Sequence, residues 1–278
     1  NAFTSDTANS IVATSGALTC GDLTITGGTF TNTAANTISA SGNVTISVFG
    51  ATATNNTLTM TGDGKYINAS VDLGNLVNNG GTTGSRNYID GNNLVLDGTF
   101  TNNSGKYFTT LDDDAVTSRN LTTGDALTNG TIDIDGPFYA NASTITIQAA
   151  TTGNFDVNDV DYFVYGTSTV DLKGTGSILG NNDWINFYKL TCGYALKTTS
   201  FNSGGEWKGI NIYNKLTVDP LAVGTGRLSH SAASQKIFLH NATCANGGII
   251  DTGELEANEG ANSINGGDFE DSDMQVAN

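Results

Sequence analysis

The stretch Ile185-Asn186-Phe187-Tyr188-Lys189-Leu190-Thr191 returns as Ile210-Asn211-Ile212-Tyr213-Asn214-Lys215-Leu216-Thr217, and this repeat decides the fold. A repeat period in the twenties is typical of one coil of a β-solenoid, in which each coil contributes two or three short strands. A shorter phrase, Gly-Thr-Phe-Thr-Asn, occurs both at 28–32 and at 98–102. The sequence therefore predicts stacked coils of about 22 to 25 residues each.

Short runs of alternating apolar and polar residues occur through most of the chain, for example at 23–26, 43–47, 93–97 and 131–135. Alternation places the apolar side chains on one face of a strand. Each of these runs ends near a small or polar residue that permits a bend. No run of ten or more residues with the apolar spacing of a helix stands out, so an all-β chain is expected.

The composition agrees with a chain of strands and tight turns. Its 278 residues include about 40 threonines, 33 asparagines and 35 glycines but only 2 prolines. Threonine favours strands, whereas glycine and asparagine favour turns, and stacked asparagines and threonines form side-chain ladders between coils. Proline would remove hydrogen bonds from such ladders. The alternative that stays open is a β-sandwich or jelly roll, which also has short strands and glycine-rich turns.

The charge of the chain excludes several classes of partner. Eleven basic residues against 27 acidic ones give a formal net charge of −16. A surface that binds nucleic acid needs clustered cations, so no nucleic acid partner is expected. No stretch approaches the roughly 18 apolar residues of a transmembrane helix, so no membrane insertion is expected either. The expected partners are other copies of the chain and surface glycans.

The phrases with an aromatic residue before Leu-Thr, followed by glycine- and asparagine-rich turns, carry a family resemblance over residues 18–220. The chain resembles repeat-rich right-handed parallel β-helix proteins of bacterial, archaeal and phage surfaces, of the adhesin, filament or spike type. This resemblance implies an architecture and an extracellular or virion surface location. It carries no catalytic residues to transfer to this sequence.

The two ends of the chain differ from its middle. Residues 1–17 are small and polar and are expected to form an N-terminal cap or linking strand, whereas 18–250 form the solenoid body. Residues 251–278 are rich in acids and are expected to form a C-terminal cap or linking segment. A solenoid exposes unpaired backbone at both ends, so these segments either cap it or add strands to neighbouring copies. Because the chain begins with Asn1 rather than Met, we expect either a processed form, in keeping with a mature secreted product, or a piece of something longer.

Sequons for N-glycosylation and three cysteines add to this expectation. Three cysteines are too few for a disulfide framework. Two interpretations stay open: one disulfide bridge plus a free thiol, or three buried thiols. The cysteines are Cys20, Cys192 and Cys244. Asn-x-Ser/Thr sequons, which permit surface glycosylation, occur at Asn43, Asn55, Asn68, Asn102, Asn120, Asn129, Asn141 and Asn241.

One acidic loop is a candidate calcium site. Asp156, Asn158, Asp159 and Asp161 alternate oxygen ligands within one short loop, and hard cations prefer such ligands. The loop lacks the glycine and the distant glutamate of an EF-hand. The alternative is an acidic loop that is simply solvated. No other cofactor is expected.

Other acidic residues are candidates for general acid and base catalysis. Paired carboxylates hydrolyse glycosidic bonds. The candidates are Asp112–Asp114, the alternating pair Asp133 and Asp135, and the spaced acids Asp156, Asp159 and Asp161. The two histidines, His230 and His240, lie in no motif that frames a nucleophile or a structural zinc. Acids on the solvent face of a strand are ordinarily solvating groups, so enzymatic activity is not the expectation.

These observations predict an extracellular structural protein that self-assembles into a surface filament, spike or adhesive layer. Two alternatives remain. The first is a virion or phage receptor-binding fibre or tail spike with the same fold. The second is a polysaccharide-cleaving enzyme on a β-helix.

Overall fold

The structure is a computed structural model, and it describes residues 1–5, 11–13, 17–27, 30–32, 37–48, 56–180, 184–202, 209–221, 224–230, 235–251, 254–258, 263–265, 268–270 and 273–276. Within these ranges the chain forms strands and one short 3-10 helix, Val160–Tyr162. The prediction of an all-β chain is confirmed.

The strands form three large sheets and one small one. Sheet I has twelve strands, in the order β3 (Leu18–Cys20), β6 (Thr37–Ala40), β8 (Thr57–Met60), β10 (Asn75–Asn78), β13 (Thr99–Asn102), β16 (Thr131–Ile134), β19 (Thr152–Val157), β22 (Thr175–Gly180), β24 (Thr198–Asn202), β26 (Arg227–His230), β29 (Ile249–Asp251) and β32 (Asp268–Glu270). Sheet II has eleven strands: β12 (Leu94–Leu96), β15 (Leu121–Thr123), β18 (Thr144–Ile147), β21 (Thr169–Leu172), β23 (Ile185–Cys192), β25 (Gly209–Val218), β27 (Lys236–His240), β28 (Thr243–Asn246), β30 (Glu254–Asn258), β31 (Ser263–Asn265) and β33 (Asp273–Val276).

Sheet III has eight strands, in the order β1 (Phe3–Ser5), β4 (Leu23–Ile25), β7 (Val44–Ile46), β9 (Tyr66–Ala69), β11 (Asn87–Ile89), β14 (Phe108–Thr109), β17 (Phe138–Tyr139) and β20 (Phe163–Val164). The small sheet pairs β2 (Ile11–Ala13) with β5 (Phe30–Asn32). In the middle of the chain each turn supplies one strand to sheet I, then one to sheet III, then one to sheet II.

Every pairing between these strands is parallel, and each strand pairs with its counterpart in the next turn. The repeat that predicted the fold lies in β23 and β25, where Ile185 pairs with Ile210 and Leu190 pairs with Leu216. A β-bulge after Phe187 accommodates the one extra residue of β25. The chain is therefore a parallel β-solenoid, and the alternative of a sandwich or jelly roll is wrong.

The length of a turn varies more than the sequence repeat predicts. Leu58 pairs with Leu76 after a short turn, whereas the turn from Phe100 to its partner Ile132 is nearly twice as long. The strands stay in register because the extra residues lie in connecting turns, above all in the segment 110–120. Loop length is tolerated on the surface of a solenoid because only the strands carry the ladder.

The core is a column of inward-facing apolar side chains. Sheet strands bury alternate residues, as in β16, where Ile132 and Ile134 are buried. Phenylalanine rings contact one another in the middle of the column: Phe100 and Phe108 of one turn lie tilted with centroids 4.9 Å apart, and Phe108 stacks on Phe138 of the next turn at 5.9 Å. Such ring pairs add to the large apolar area that each phenylalanine buries.

The solenoid changes its cross-section after β20, the last strand of sheet III. The strands β23 and β25 are the longest of sheet II, and the two halves of β25 pair separately with β27 and β28. Phe187, in the first half of β23, lies 5.9 Å from the ring of Phe163 in β20. The first halves of the long strands therefore cover the core beyond the end of sheet III.

The sheets also continue through both expected segment boundaries. Strands β1 and β2, within residues 1–17, pair in parallel with β4 and β5. Strands β30 to β33, within residues 251–278, pair in parallel with β27, β28, β29 and β30. The described parts of both end segments are thus built as further turns of the solenoid.

Candidate functional site

The longest insertion between strands, residues 110–120, turns an acidic side chain back against the solenoid. Its ends are held together because the Arg119 N–H donates to the Thr110 carbonyl over 2.8 Å. Asp112 is 6% exposed, although Asp113 and Asp114 beside it are exposed. The Arg119 Nε donates to Asp112 Oδ2 over 2.6 Å, and a second guanidinium nitrogen also pairs with that oxygen.

Asp112 meets an acidic residue of the preceding turn. Asp90 follows β11, and its carboxylate lies within 4.8 Å of those of Asp112 and Asp113. The Gly91 N–H donates to Asp112 Oδ2 over 3.3 Å, and Asp90 and Asp112 share a hydrogen bond between their side chains. Two turns of the solenoid thereby build one carboxyl pair, which we call the acid pair.

The two members of the acid pair hold their protons differently. Burial raises the pKa of Asp90 to about 6, and the hydrogen bond and charge of Asp112 act in the same direction. Burial alone would also raise the pKa of Asp112, but its hydrogen bonds with Asp90 and Arg119 outweigh it and hold that pKa well below its usual range. Below about pH 6 the shared proton therefore lies on Asp90 and the negative charge on Asp112, which is the separation of a general acid from a base.

Aromatic side chains flank the acid pair on the outer face of sheet III. Tyr66 and Tyr88 are register partners on β9 and β11, with ring centroids 6.0 Å apart. Burial raises the pKa of the Tyr88 hydroxyl, and the nearby charges of Asp113 and Asp90 add to that effect. A proton donor, a carboxylate and two tyrosine rings therefore lie together, in an arrangement that can bind a polar ligand and move a proton.

A second acidic group lies on the outer face of sheet I. Asp133 and Asp156 are register partners on β16 and β19, and Asp135 follows β16. Burial raises the pKa of Asp133 to about 6, and the charges of Asp135 and Asp156 add to it. Burial and the charge of Asp135 also raise the pKa of Asp156. The predicted solvent-face pair is thus joined by a third carboxylate from the next turn.

The residues of the predicted calcium loop point to different partners. Asp156 joins the group on sheet I, and Asn158 donates from Nδ2 to Asp135. Asp159 caps the short 3-10 helix by accepting the Asp161 N–H over 3.1 Å. The described residues do bring three carboxylates within 4.8 Å of one another, but at another place. These carboxylates belong to Asp90, Asp112 and Asp113.

The sequon asparagines connect neighbouring turns by their side chains. Asn102 is buried, and its Nδ2 donates to the Gly136 carbonyl over 2.7 Å, which leaves no space for a glycan in the folded chain. Asn120 accepts the Thr144 N–H, and Asn129 accepts the Thr151 N–H. Asn55 lies outside the described residues.

The remaining described sequon residues are partly or fully exposed, and all engage other groups. Asn43 accepts the Tyr66 N–H, Asn68 accepts from Asn92, and Asn141 donates to Thr109. Asn241 is exposed, with a positive φ of 53°, and also has an interaction partner. These asparagines add side-chain rungs to the backbone ladder, and this is the physical reason for the high asparagine content.

The cysteines and histidines form no catalytic or metal-binding group in the part of the chain that is described. Cys20, Cys192 and Cys244 are free and buried, so the interpretation as packed thiols is confirmed. Burial raises the pKa of the Cys244 thiol to about 12. His230 Nε2 lies 3.6 Å from Asp251, which also pairs with an arginine, and His240 lies in an aromatic stack.

Comparisons of the chain with protein-family models, with curated proteins and with solved structures found no match in any of the three. The class of the protein is therefore defined by its geometry, and that class is the parallel β-solenoid. The described residues include no helix with the length and apolar character needed to span a membrane.

Proposed function

We propose that this chain is an extracellular structural protein that joins copies of itself end to end into a filament or surface layer. The observation that carries the proposal is the state of sheet I at its two ends. Strand β3 is the first strand of the sheet and β32 is the last, and no further strand pairs with their outer edges in the described residues. An open strand edge is a template for pairing with another chain.

The two edges are complementary in direction. All pairings along sheet I are parallel, so β32 of one copy continues the sheet of the next when it pairs with that copy's β3. Sheet II ends in the same way at β33. A head-to-tail contact of this kind joins different surfaces of two copies, and it generates an open filament when the rotation does not close.

The backbone of β3 offers a specific place to test this contact. Cys20 O accepts the Ser41 N–H of the next turn over 3.0 Å, so Cys20 directs its backbone groups toward β6. Alternate residues of a parallel strand direct their N–H and C=O groups to opposite neighbours. The N–H of Thr19 therefore points to the open edge, where a partner strand would accept it.

The experiment compares Thr19→Pro with Thr19→Val by electron microscopy and sedimentation velocity. The wild-type chain is expected to form polymers whose length rises with concentration. Thr19→Pro removes the edge donor and should leave single copies, whereas Thr19→Val keeps the donor and should polymerise as the wild type does. A wild-type chain that stays monomeric contradicts the proposal, and a closed trimer would favour the receptor-binding fibre or tail spike.

Polysaccharide cleavage is a second candidate function, and the acid pair is the observation that favours it. Below its pKa of about 6 Asp90 carries a proton while Arg119 keeps Asp112 ionised, so in mildly acidic solution the pair contains both forms that glycoside hydrolysis uses. Because the two carboxyl groups share a hydrogen bond and glycosidases hold theirs about 5 Å or more apart, a bound sugar would have to enter between them. Tyr66 and Tyr88 would hold the sugar beside it. Asp90→Asn should abolish sugar release from polysaccharides, whereas Asp133→Asn, on another sheet, should leave it unchanged. Absence of any release by the wild-type chain removes this candidate.

A further inference from the structure

The turn that leads from β25 to β26 begins with a buried aspartate followed by a proline. Asp219 is 1% exposed, whereas Pro220 is exposed. The chain has two prolines, and this is the one that follows an aspartate. Because an aspartate carboxylate can reach the carbonyl carbon of its own residue, this dipeptide places a nucleophile beside one particular peptide bond.

The two oxygens of the Asp219 carboxylate have different surroundings. Oδ2 accepts the Thr225 N–H over 3.2 Å and the Gly226 N–H over 3.3 Å. Oδ1 is buried and has no hydrogen-bond partner among the described residues. Buried polar atoms ordinarily have partners, and the exceptions include groups with a catalytic role. Oδ1 therefore keeps the lone pairs that a nucleophile needs.

The backbone at Asp219 is held in an unusual conformation. The Asp219 N–H donates to the Cys192 carbonyl over 3.1 Å, which ties the residue to the preceding turn. Its φ of 47° lies in the left-handed region, which residues other than glycine rarely adopt. The proline that follows restricts this residue further. Strain is therefore stored next to the Asp219–Pro220 bond, and breaking that bond releases it.

The next turn packs closely against the Asp219 side chain. A Cβ atom added at Gly248 would lie 2.9 Å from the Asp219 Cβ, so this position has no room for a side chain. The close packing limits the rotation of the carboxylate. A nucleophile that is held near its target in this way gains a large effective concentration.

The other side of the Asp219–Pro220 bond faces water. Pro220 is exposed, and the Leu221 side chain after it is 70% exposed. The proline nitrogen has no hydrogen in the peptide bond, so it must gain one to leave as an amine. Water at the surface can supply that proton, while the nucleophile on the other side stays shielded.

We propose that the chain cleaves itself between Asp219 and Pro220. Asp219 Oδ1 attacks the carbonyl carbon of its own residue, so a carbon–oxygen bond forms and the carbon–nitrogen bond breaks. The electron pair stays with the Pro220 nitrogen, which takes a proton from water, and Asp219 becomes a cyclic anhydride. The Thr225 and Gly226 N–H groups polarise the anhydride carbonyl at Oδ2. The hydroxide left by that water opens the anhydride to two carboxyl groups, so the net reaction is hydrolysis of the peptide bond.

The two pieces should stay together after the bond breaks. Strands β26, β27 and β28, which follow the break, pair with β24 and β25, which precede it. The cleaved chain therefore keeps its solenoid and gains a new pair of chain ends at the surface. The bond belongs neither to the sheet edges nor to the acid pair, so its cleavage is independent of the proposed function.

The test incubates the purified full chain in mildly acidic buffer and follows its mass by mass spectrometry. Fragments 1–219 and 220–278 are expected, and they should separate only in denaturant. The folded chain should be cut at least tenfold faster than the chain unfolded in guanidinium chloride at the same pH, because only folding holds the carboxylate in place. A wild-type chain that stays intact overturns the proposal. Equal rates in the two states also overturn it, since they would show only the ordinary acid lability of an Asp-Pro bond.

Two variants test the roles of the two residues. Asp219→Asn keeps an acceptor oxygen for the turn but removes the nucleophilic carboxylate, and it should slow cleavage at least tenfold. Pro220→Ala keeps the carboxylate but makes the departing nitrogen less basic, and it should also slow cleavage at least tenfold. Pro220→Ala keeps the test valid if Asp219→Asn fails to fold. Unchanged cleavage in either folded variant overturns the proposal.

Ala126→Pro is the matched control, because it places a proline after Asp125 in an exposed turn of an earlier coil. The Asp125 Oδ1 already accepts hydrogen bonds from Leu127 and Thr128. The new bond after Asp125 should stay intact while the bond after Asp219 is cut. Cleavage at both places with equal rates would show that the surroundings of Asp219 have no effect, and would overturn the proposal.

Discussion

Asn78 donates a hydrogen bond from its Nδ2 to Asn102 Oδ1, one turn later along sheet I, over 2.7 Å and within the core. Asn87 donates in turn to Asn78 Oδ1 over 2.8 Å, and Asn102 donates to the Gly136 carbonyl. Three consecutive buried amides thus satisfy one another and the backbone of the turns. A buried network of this kind stabilises only when every member has its partner.

We expect Asn102→Ala to destabilise the chain by about 1 to 3 kcal/mol, because it removes the buried bond between Asn78 and Asn102 and the side-chain donor to the Gly136 carbonyl. The Asn78 Nδ2 keeps only its longer bonds to the Gly80 and Tyr107 carbonyls. Asn103→Ala is the matched control, since the Asn103 side chain bonds Asn79 at the exposed surface and its loss should cost less than about 0.5 kcal/mol. Thermal unfolding followed by circular dichroism measures both. Equal melting temperatures for the two variants would contradict the role of the buried network.

Asp133 makes the stability of the chain depend on pH. Its pKa is raised to about 6 in the folded chain, first by burial and then by the charges of Asp135 and Asp156, against an ordinary value of 3.8. The folded state therefore binds more protons than the unfolded state between these two values. Stability should rise as pH falls from about 7 to about 4, and unfolding curves at a series of pH values measure it.

The substitution Asp133→Asn should remove this contribution. We expect a stability gain of about 1 kcal/mol at pH 7, a figure reduced for solvent screening of a partly exposed group, and no gain at pH 4. Asp63→Asn, on an exposed turn of an earlier coil, is the control. A gain that is the same at both pH values would show that the effect of Asp133 is not electrostatic.

Arg119 holds the charge of the acid pair. Arg119→Gln removes a charge-assisted contact from a carboxylate that is almost fully buried, so it should cost about 1.5 to 3 kcal/mol at pH 7. The pKa of Asp112 should rise toward its usual range, and NMR titration of the carboxyl carbon measures it. Arg86→Gln, whose guanidinium lies 3.5 Å over the Tyr139 ring, should leave the pKa of Asp112 unchanged.

We expect that calcium does not stabilise the chain by binding to the loop from Asp156 to Asp161. Asn158 and Asp159 already bond groups of the protein, and Asp156 points to another group. A cation present at 100 times its dissociation constant would add about 2.7 kcal/mol. The melting temperature is measured with calcium and with a chelator, and a clear fall with the chelator would support the calcium site predicted from the sequence.

The sequence alone was enough to predict the solenoid, because the repeat shared by β23 and β25 corresponds to one turn. The same information did not reveal the acid pair. Asp90 and Asp112 are separated by about one turn of the chain, but Asp112 belongs to an insertion whose path does not follow the repeat. The backbone bond from Arg119 to Thr110 closes the base of that insertion, and the Gly91 N–H and the Arg119 guanidinium hold Asp112 against the preceding turn.

The roles of asparagine were predicted only in part. The composition indicated ladders between turns, and Asn78, Asn102, Asn186 and Asn211 form them. The sequons predicted glycans at residues such as Asn102. A sequon is a short local motif and carries no information on whether the asparagine side chain is buried. Likewise, the stacked rings of Tyr165, Tyr213 and His240 come from different turns, and their contact becomes visible only when the register is known.

The one-dimensional stacking of turns has a mechanical consequence. Each turn is bonded to the turn before it and the turn after it, as β24 is bonded to β22 and β26. The load on a rod pulled from its two ends therefore passes through one ladder at a time. Under tension such a molecule should lengthen in discrete steps, one released coil after another, and should recoil from the coils that are still intact.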